Sequence, residues 1–506
     1  MPPNPVDTSK EPQLAEGATA GVPGGSSRVA NRWLALAVLA LAQLMVVLDA
    51  TVVNIALPSA QADLAFSDDS RQWVVTGYAL VFGSLLLLGG RLSDFFGRRR
   101  MFVIGVVGFA LASALGGAAQ NFSMLLAARA LQGVFGALLA PAALALLSTT
   151  FTEAKDRAKA FAIFGAIAGA GGGAGLLLGG VLTEYASWRW CLYVNLVIAA
   201  LALVGAAFVL RSDKPVTRPK LDLPGALTAT VGLVGVVYGL ANAESKDWSS
   251  PLTIVPIILG LAILVAFVLI EQRSSHPLLP MRVVLDRNRG GAYLTLAIAG
   301  IGMFGVFLFL TYYLTGILGL TPVQTGAAFL PMIAVLIVVA TVAGSTLVPR
   351  VGPRPMVPVG AVVAAGGMAL MTRVDLDSTY VGAVLLPLIL IGAGLGFVFA
   401  PVQNAATSGV APDDAGVASA MINTVQQVGG SIGTALLSSF AATAATDYAT
   451  GKAPSESLVA LATLHSYHVV FWWSAAFFAA CAVVSAIVFR SGPIQVDPDA
   501  DPVIAH

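Results

Sequence analysis

The chain is 506 residues long, with 57% of them hydrophobic and 10% charged. Soluble domains carry about 25% charged residues, so this much apolar surface cannot be hidden in a water-soluble fold. A net charge of +1 argues against a nucleic-acid partner, and two cysteines (Cys191 and Cys481) with four scattered histidines offer neither a disulfide framework nor a metal site. These bounds leave an all-α polytopic membrane protein.

Residues 1–31 are rich in Pro, Ala, Gly, Ser and acid and read as a disordered tail, not a signal peptide, which would open on positive charge and a short apolar core. Fourteen apolar runs follow, at roughly 33–57, 73–92, 101–119, 122–149, 160–182, 190–210, 223–241, 252–271, 291–315, 325–348, 355–372, 380–402, 414–440 and 466–489. A helix needs about 20 residues to cross the apolar core of a bilayer, and runs this long and continuous fit helices, not barrel strands. With the N-terminus placed in the cytoplasm, 21 Lys and Arg residues fall in inside segments and 5 in outside loops. That bias puts both termini in the cytoplasm of a multi-pass cell-membrane protein.

The runs repeat. Gly136-Ala-Leu-Leu-Ala-Pro141 matches Gly396-Phe-Val-Phe-Ala-Pro401, and the loop at Gly89–Arg99 has a degraded echo at Gly344–Arg354. Runs 1–6 therefore correspond to runs 9–14. The expected organisation is a tail (1–31), a six-helix bundle (32–211), a linker with two inserted spanning helices (212–290), a second six-helix bundle (291–490) and a short tail (491–506). Parallel halves about a central cavity are a transporter architecture.

Four stretches carry chemistry. In the first run, Asp49 lies inside apolar surroundings, where a carboxyl must pair, face water or take up a proton. In the loop after the second run, Gly90, Asp94, Gly97 and Arg98 combine an acid at the membrane edge with glycines that permit tight packing. In the fourth run, Arg129 and Gln132 share a helix face. Asp49 and Arg129 fall at similar depth and suggest either a structural bridge or a proton relay. In the fifth, Gly171, Gly175 and Gly179, with Gly180, form a small-residue stripe for close helix packing. Gln43, Gln132 and Asn423 come out near the midplane, where amides serve equally well as a wet cavity wall or as interhelical hydrogen bonds. Met45, Asn54, Tyr78, Phe304, Tyr312 and Gln426 complete the candidate substrate wall. Gln43 and Asn54 share a helix face from which Asp49 is turned away, so the proton group is expected to be offset from that wall. No Walker sequence is present, which leaves an ion gradient, not ATP, as the energy source.

These stretches carry a resemblance. Leu48-Asp49-Ala50-Thr51-Val52-Val53-Asn54-Ile55-Ala56-Leu57-Pro58 resembles the first-helix motif of the 14-helix drug:proton antiporters of the major facilitator superfamily. Gly90-Arg91-Leu92-Ser93-Asp94-Phe95-Phe96-Gly97-Arg98-Arg99 is similar to that superfamily's signature loop, and Arg129-x-x-Gln132-Gly133 to its fourth-helix motif, with Phe135 where the family has Gly. The fifth-run glycines resemble the antiporter signature, with Leu176 after Gly175 in place of the usual Pro. Trp188-Arg189-Trp190 with Asn195 resembles a further element. The resemblance implies a major facilitator fold of two six-helix bundles plus two inserted helices. It also implies no enzymatic activity, no cofactor, and proton-coupled export of amphipathic small molecules, with Asp49 and Arg129 coupling protons and the Asp94 loop latching the cytoplasmic side. A monomer is expected. Alternatives are a dedicated exporter of one endogenous natural product or lipid and, from another class, a non-transporting membrane receptor.

Overall fold

The computed structural model describes residues 25–151, 153–210, 222–246, 248–275, 277–410, 414–490 and 492. Their architecture is fourteen long helices: α1 (Gly25–Leu64), α2 (Asp68–Phe96), α3 (Arg98–Gly117), α4 (Phe122–Thr150), α5 (Ala154–Tyr185), α6 (Trp190–Val209), α7 (Leu223–Lys246), α8 (Pro251–Arg273), α9 (Arg287–Ile317), α10 (Pro322–Leu347), α11 (Pro353–Met371), α12 (Tyr380–Thr407), α13 (Ala415–Ala449) and α14 (Glu456–Val488). Thirteen of these, judged on the described residues, are long and apolar enough to cross a membrane. The exception, α5, contains residues whose side chains are not described.

The starts of several helices are set by local chemistry. The Asn121 side chain accepts from the Met124 N–H at the start of α4, and Asp286 accepts from the Asn288 and Arg289 N–H groups at the start of α9. Thr321 and Gln324 form a reciprocal capping box ahead of α10, with Pro322 at the first helical position. Each arrangement satisfies N–H groups that the helix itself leaves unpaired. α1 begins at Gly25, inside the stretch expected to be a disordered tail to residue 31. The Pro and Gly that would break a helix lie before this point, and Ser26–Asn31 contain no breaker. α13 and α14 likewise overrun their apolar cores, reaching Ala449 and starting at Glu456. Their polar ends remain helical, because the helix outlasts the apolar pattern that reveals it.

Packing repeats in the same way as sequence. Within α1–α6 the principal pairs are α2/α4, α3/α4, α1/α5, α1/α6 and α3/α6; each recurs eight helices later as α10/α12, α11/α12, α9/α13, α9/α14 and α11/α14. The turn glycines obey the repeat as well. Gly97, between α2 and α3, has φ +98°, and Gly352, between α10 and α11, has φ +75°. Each donates its N–H to the carbonyl four residues back, Ser93 and Val348. Such a conformation favours glycine. Pro141 and Pro401 sit at matching places inside α4 and α12.

The two groups meet along α2/α13 and α5/α10, and the α7–α8 hairpin leans on α2 and α13. We call the face bearing the α2–α3 turn the near face and its opposite the far face. At the far face the groups are drawn together: Arg71 lies 3.5 Å from the centre of the Tyr312 ring, and the Val323 N–H donates to Glu184 Oε2 at 3.0 Å. Outward-facing positions on α6, α7, α8 and α11 carry exposed Leu, Ile and Val, which suits hydrocarbon, not water. Four segments (Gly305–Phe309, Tyr313–Ile317, Ala343–Leu347 and Tyr380–Val384) widen to i→i+5 bonding, a feature with no signature in the apolar pattern.

Candidate functional site

Asp49 points from α1 into the interior of the first six helices, toward α4 and α6. It is 1% exposed, Arg129 is 1% exposed, and the two form an ion pair at 2.6 Å between Arg129 Nη1 and Asp49 Oδ2. The other carboxylate oxygen is also occupied. Asp49 Oδ1 accepts from Gln132 Nε2 at 2.8 Å and from Asn195 Nδ2 at 2.8 Å. Both amides also donate to Ser113 Oγ, at 2.7 and 3.2 Å. One acid is thus held by three donors from α4 and α6, with a hydroxyl from α3 behind them.

The arginine is fixed with equal care. Its Nη1 also donates to Gln132 Oε1 at 2.7 Å, and its Nε donates to the Val74 carbonyl of α2 at 3.2 Å. Its guanidinium carbon lies 4.4 Å from the centre of the Tyr78 ring. A cation over an aromatic face gains about 0.5–2 kcal/mol, toward the upper end when both are dry. Gly133 allows this approach: a methyl group there would stand 2.8 Å from the Tyr78 carbonyl and 3.0 Å from Phe82 N. Without the glycine, α2 could not bring Val74 and Tyr78 onto Arg129. Phe135, the residue that departs from the family pattern, fills the space left by Gly108 on α3.

A buried ion pair costs several kcal/mol per charge in lost hydration, repaid only when the remaining hydrogen-bonding capacity is satisfied. Here Asp49 has it satisfied. The arrangement is therefore able to hold a carboxylate stably in the interior, and a proton arriving on Asp49 would cost at least one of its three bonds.

The candidate residues separate in space. Asp49, Arg129, Gln132 and Tyr78 come together. Gln132 (0% exposed) and Tyr78 (2%), expected on the substrate wall, lie against Asp49 and Arg129 in the packed charge cluster. Met45 and Tyr312, expected on the same wall, are also closed into the core. Side chains that suit an adaptable wall suit a core equally. Gln43, Phe304 and Gln426 are half-buried, Asn54 is buried and Asn423 is exposed. The Phe304 ring packs on Gly430 of α13. In the α2–α3 turn, Gly90 approaches Pro141 of α4, Gly97 forms the turn itself and Arg98 is half-buried; the Asp94 side chain lies outside the described residues. Ser113 and Asn195 are members of the site that the depth argument did not select. Asn195 was visible through its motif, whereas a serine in an apolar run carries no such signal.

The fifth-helix glycines divide between two neighbours. Gly171 packs on Leu44 and Val47, Gly175 on Leu48 and Thr51, and Gly179 on Val52, so this stripe clamps α5 to the turns of α1 that flank Asp49. Gly180 faces across the interface instead: a methyl group there would stand 2.5 Å from the Pro322 carbonyl and 2.8 Å from Val323 Cα. Gly180→Ala is expected to wedge the far face open. If the wedge costs about 1 kcal/mol of closure, the open population rises about fivefold. Distances between spin labels at Tyr185→Cys and Thr321→Cys measure this; an unchanged distribution would show that the contact does not hold the halves together.

Many spanning helices, a twofold internal repeat and a buried charge pair within one half define a membrane transporter. The chain belongs to the Major Facilitator Superfamily, whose sequence profile matches residues 39–434. It is 49% identical to the puromycin resistance protein pur8 of Streptomyces alboniger over 463 residues, 91% of this chain and 92% of that protein. It is 40% identical to the cephamycin export protein CmcT of Amycolatopsis lactamdurans, over 82% of this chain and 86% of that one. The fold is shared with an auto-inhibited POT family peptide transporter, at a TM-score of 0.66 and 16% identity over 92% of this chain and 98% of that chain.

Proposed function

We propose that this protein is a proton-coupled antiporter that exports amphipathic drugs or antibiotics from the cytoplasm or inner leaflet across the cell membrane. Both termini are then cytoplasmic, and the near face is the cytoplasmic one. The observation that carries the reading is the Asp49 carboxylate held by Arg129, Gln132 and Asn195 in the interior of the first bundle. In this cycle the deprotonated, three-donor state with its far face closed admits substrate from the cytoplasm. A proton from outside neutralises Asp49, loosens its hold on α4 and α6, and favours release and return. The two bundles rock about a central cavity, with the Asp94 turn latching the cytoplasmic side. Antibiotic substrates are supported by the relatives, whose names record puromycin resistance, cephamycin export and lincomycin resistance. The same names favour a second reading, a dedicated exporter of one natural product, since several are named for a single compound.

The test is transport by the purified protein in proteoliposomes under an imposed pH gradient. The panel spans cationic, neutral and anionic amphiphiles, with puromycin among them. Gradient-dependent movement of several classes supports the polyspecific reading, and movement of one compound supports the dedicated exporter. Movement that ignores the pH gradient would sink proton coupling.

A further inference from the structure

The inserted helices α7 and α8 carry a pair of acids, Glu271 buried and Asp222 half-buried, that the transport cycle does not use. Glu271, in the last turn of α8, is 3% exposed. Its Oε2 accepts from the Leu279 N–H at 3.0 Å, and its Oε1 is buried with no partner among the described residues. Asp222 stands directly ahead of α7. Its Oδ1 accepts from the Gly225 N–H at 2.8 Å, and its Oδ2 is likewise buried with no partner among the described residues. The two carboxyls meet over Gly225, where an added methyl group would strike Glu271 Oε1 and lie 3.1 Å from Asp222 Oδ1.

Among the described residues, the charged groups acting on Glu271 are Asp222 and Arg91. Arg91 belongs to α2, at the entry to the Gly97 turn, and its Nη2 donates to the Pro277 carbonyl at 2.6 Å. Arg273, two residues on from Glu271, is exposed, and Arg282 beyond the strap is paired with Asp414 at 2.8 Å. The strap that leaves α8 is therefore pinned twice within three residues, at Pro277 by the signature turn and at Leu279 by Glu271.

Two ionised carboxylates sharing one glycine, each with a buried oxygen lacking a donor, are mutually repulsive and incompletely bonded. One proton between them changes both facts. It removes a charge and supplies the missing donor. We propose that Asp222 and Glu271 hold one proton in common at the near face, and that its loss to near-side water frees the strap from α8, so that the strap follows the α2–α3 turn to which Arg91 ties it. The inserted helices thereby make the movement of that turn depend on near-side pH, through a proton site distinct from Asp49. With both acids ionised, Glu271 swings toward water and the Leu279 N–H loses its acceptor. The Arg91 bond to the Pro277 carbonyl then remains.

The experiment uses the full chain in nanodiscs with spin labels at Arg100→Cys and Ser275→Cys, both exposed positions; the native Cys191 and Cys481 are buried. The distance distribution is recorded across pH. A longer-distance population is expected to grow as pH rises. Glu271→Gln, which keeps an acceptor for Leu279 and cannot ionise, is expected to lose that transition entirely. Asp222→Asn, outside the helix and so independent of α8 folding, is expected to lose it too. Asp49→Asn is expected to retain it, which separates this site from the transport proton. Absence of the transition in the unsubstituted acids, or its survival in both Glu271→Gln and Asp222→Asn, overturns the proposal.

Discussion

Asp49→Asn is expected to bring proton-driven export down to the level of empty proteoliposomes while the protein still folds. The amide has nearly the shape of the acid, and its carbonyl can still accept from Gln132 and Asn195. Its NH2 group then meets Arg129 Nη1, which lies 2.6 Å from Oδ2, so a donor faces a donor where an ion pair stood. More important for function, the side chain can neither bind nor release a proton. Substrate and proton are linked: if a proton on Asp49 weakens substrate binding, substrate must weaken proton binding by the same factor. The unsubstituted protein should therefore bind substrate more weakly as pH falls. The variant, locked in a neutral form, should bind weakly at every pH. Asp49→Glu keeps a titrating carboxyl but pushes it one methylene further into three fixed donors, and partial activity with a displaced pH profile is expected. Full gradient-driven efflux by Asp49→Asn, or an unaltered pH dependence of its binding, would remove Asp49 from the coupling mechanism.

The cost of charge in an apolar run is what made this pair legible in sequence. Asp49 and Arg129 stand out because no ordinary packing argument places them there. Gln132 follows from helical spacing alone, three residues on from Arg129. The repeat was also legible, down to the correspondence of Gly97 and Gly352, because a turn that favours glycine leaves a mark. What stayed hidden was rotation about each helix axis. Depth can be counted along a helix, but the burial of Tyr78 and Met45 is set by neighbours far away in sequence. Ser113 was invisible for a related reason. A hydroxyl in a spanning helix can bond its own backbone, so its presence does not demand a partner. The acids of the inserted hairpin escaped notice because Glu271 lies at a helix end, where water is the default expectation. The strap from α8, which no periodicity describes, covers it.

Arg129→Met is expected to destabilise the protein more than any other single change in the site, by about 3–5 kcal/mol, the typical cost of breaking a buried ion pair from one side. Methionine fills most of the volume but leaves Asp49 Oδ2 without its donor and without a counter-charge. It also frees the Val74 carbonyl, which accepts from Arg129 Nε. The double variant Asp49→Asn with Arg129→Met provides the sharper measurement. Each single change strands a charge, whereas the double change removes both, and buried pairs replaced together by neutral groups often lose little. The double variant is therefore expected to survive heating in detergent longer than Arg129→Met alone while remaining inactive in transport. Its stability would report the electrostatic cost of the pair, and its inactivity the purpose for which that cost is tolerated. If the double variant were less stable than either single one, the pair would be a structural bridge that neutral side chains cannot replace. Asp49 would then have to be assigned to holding the bundle, with the proton carried elsewhere.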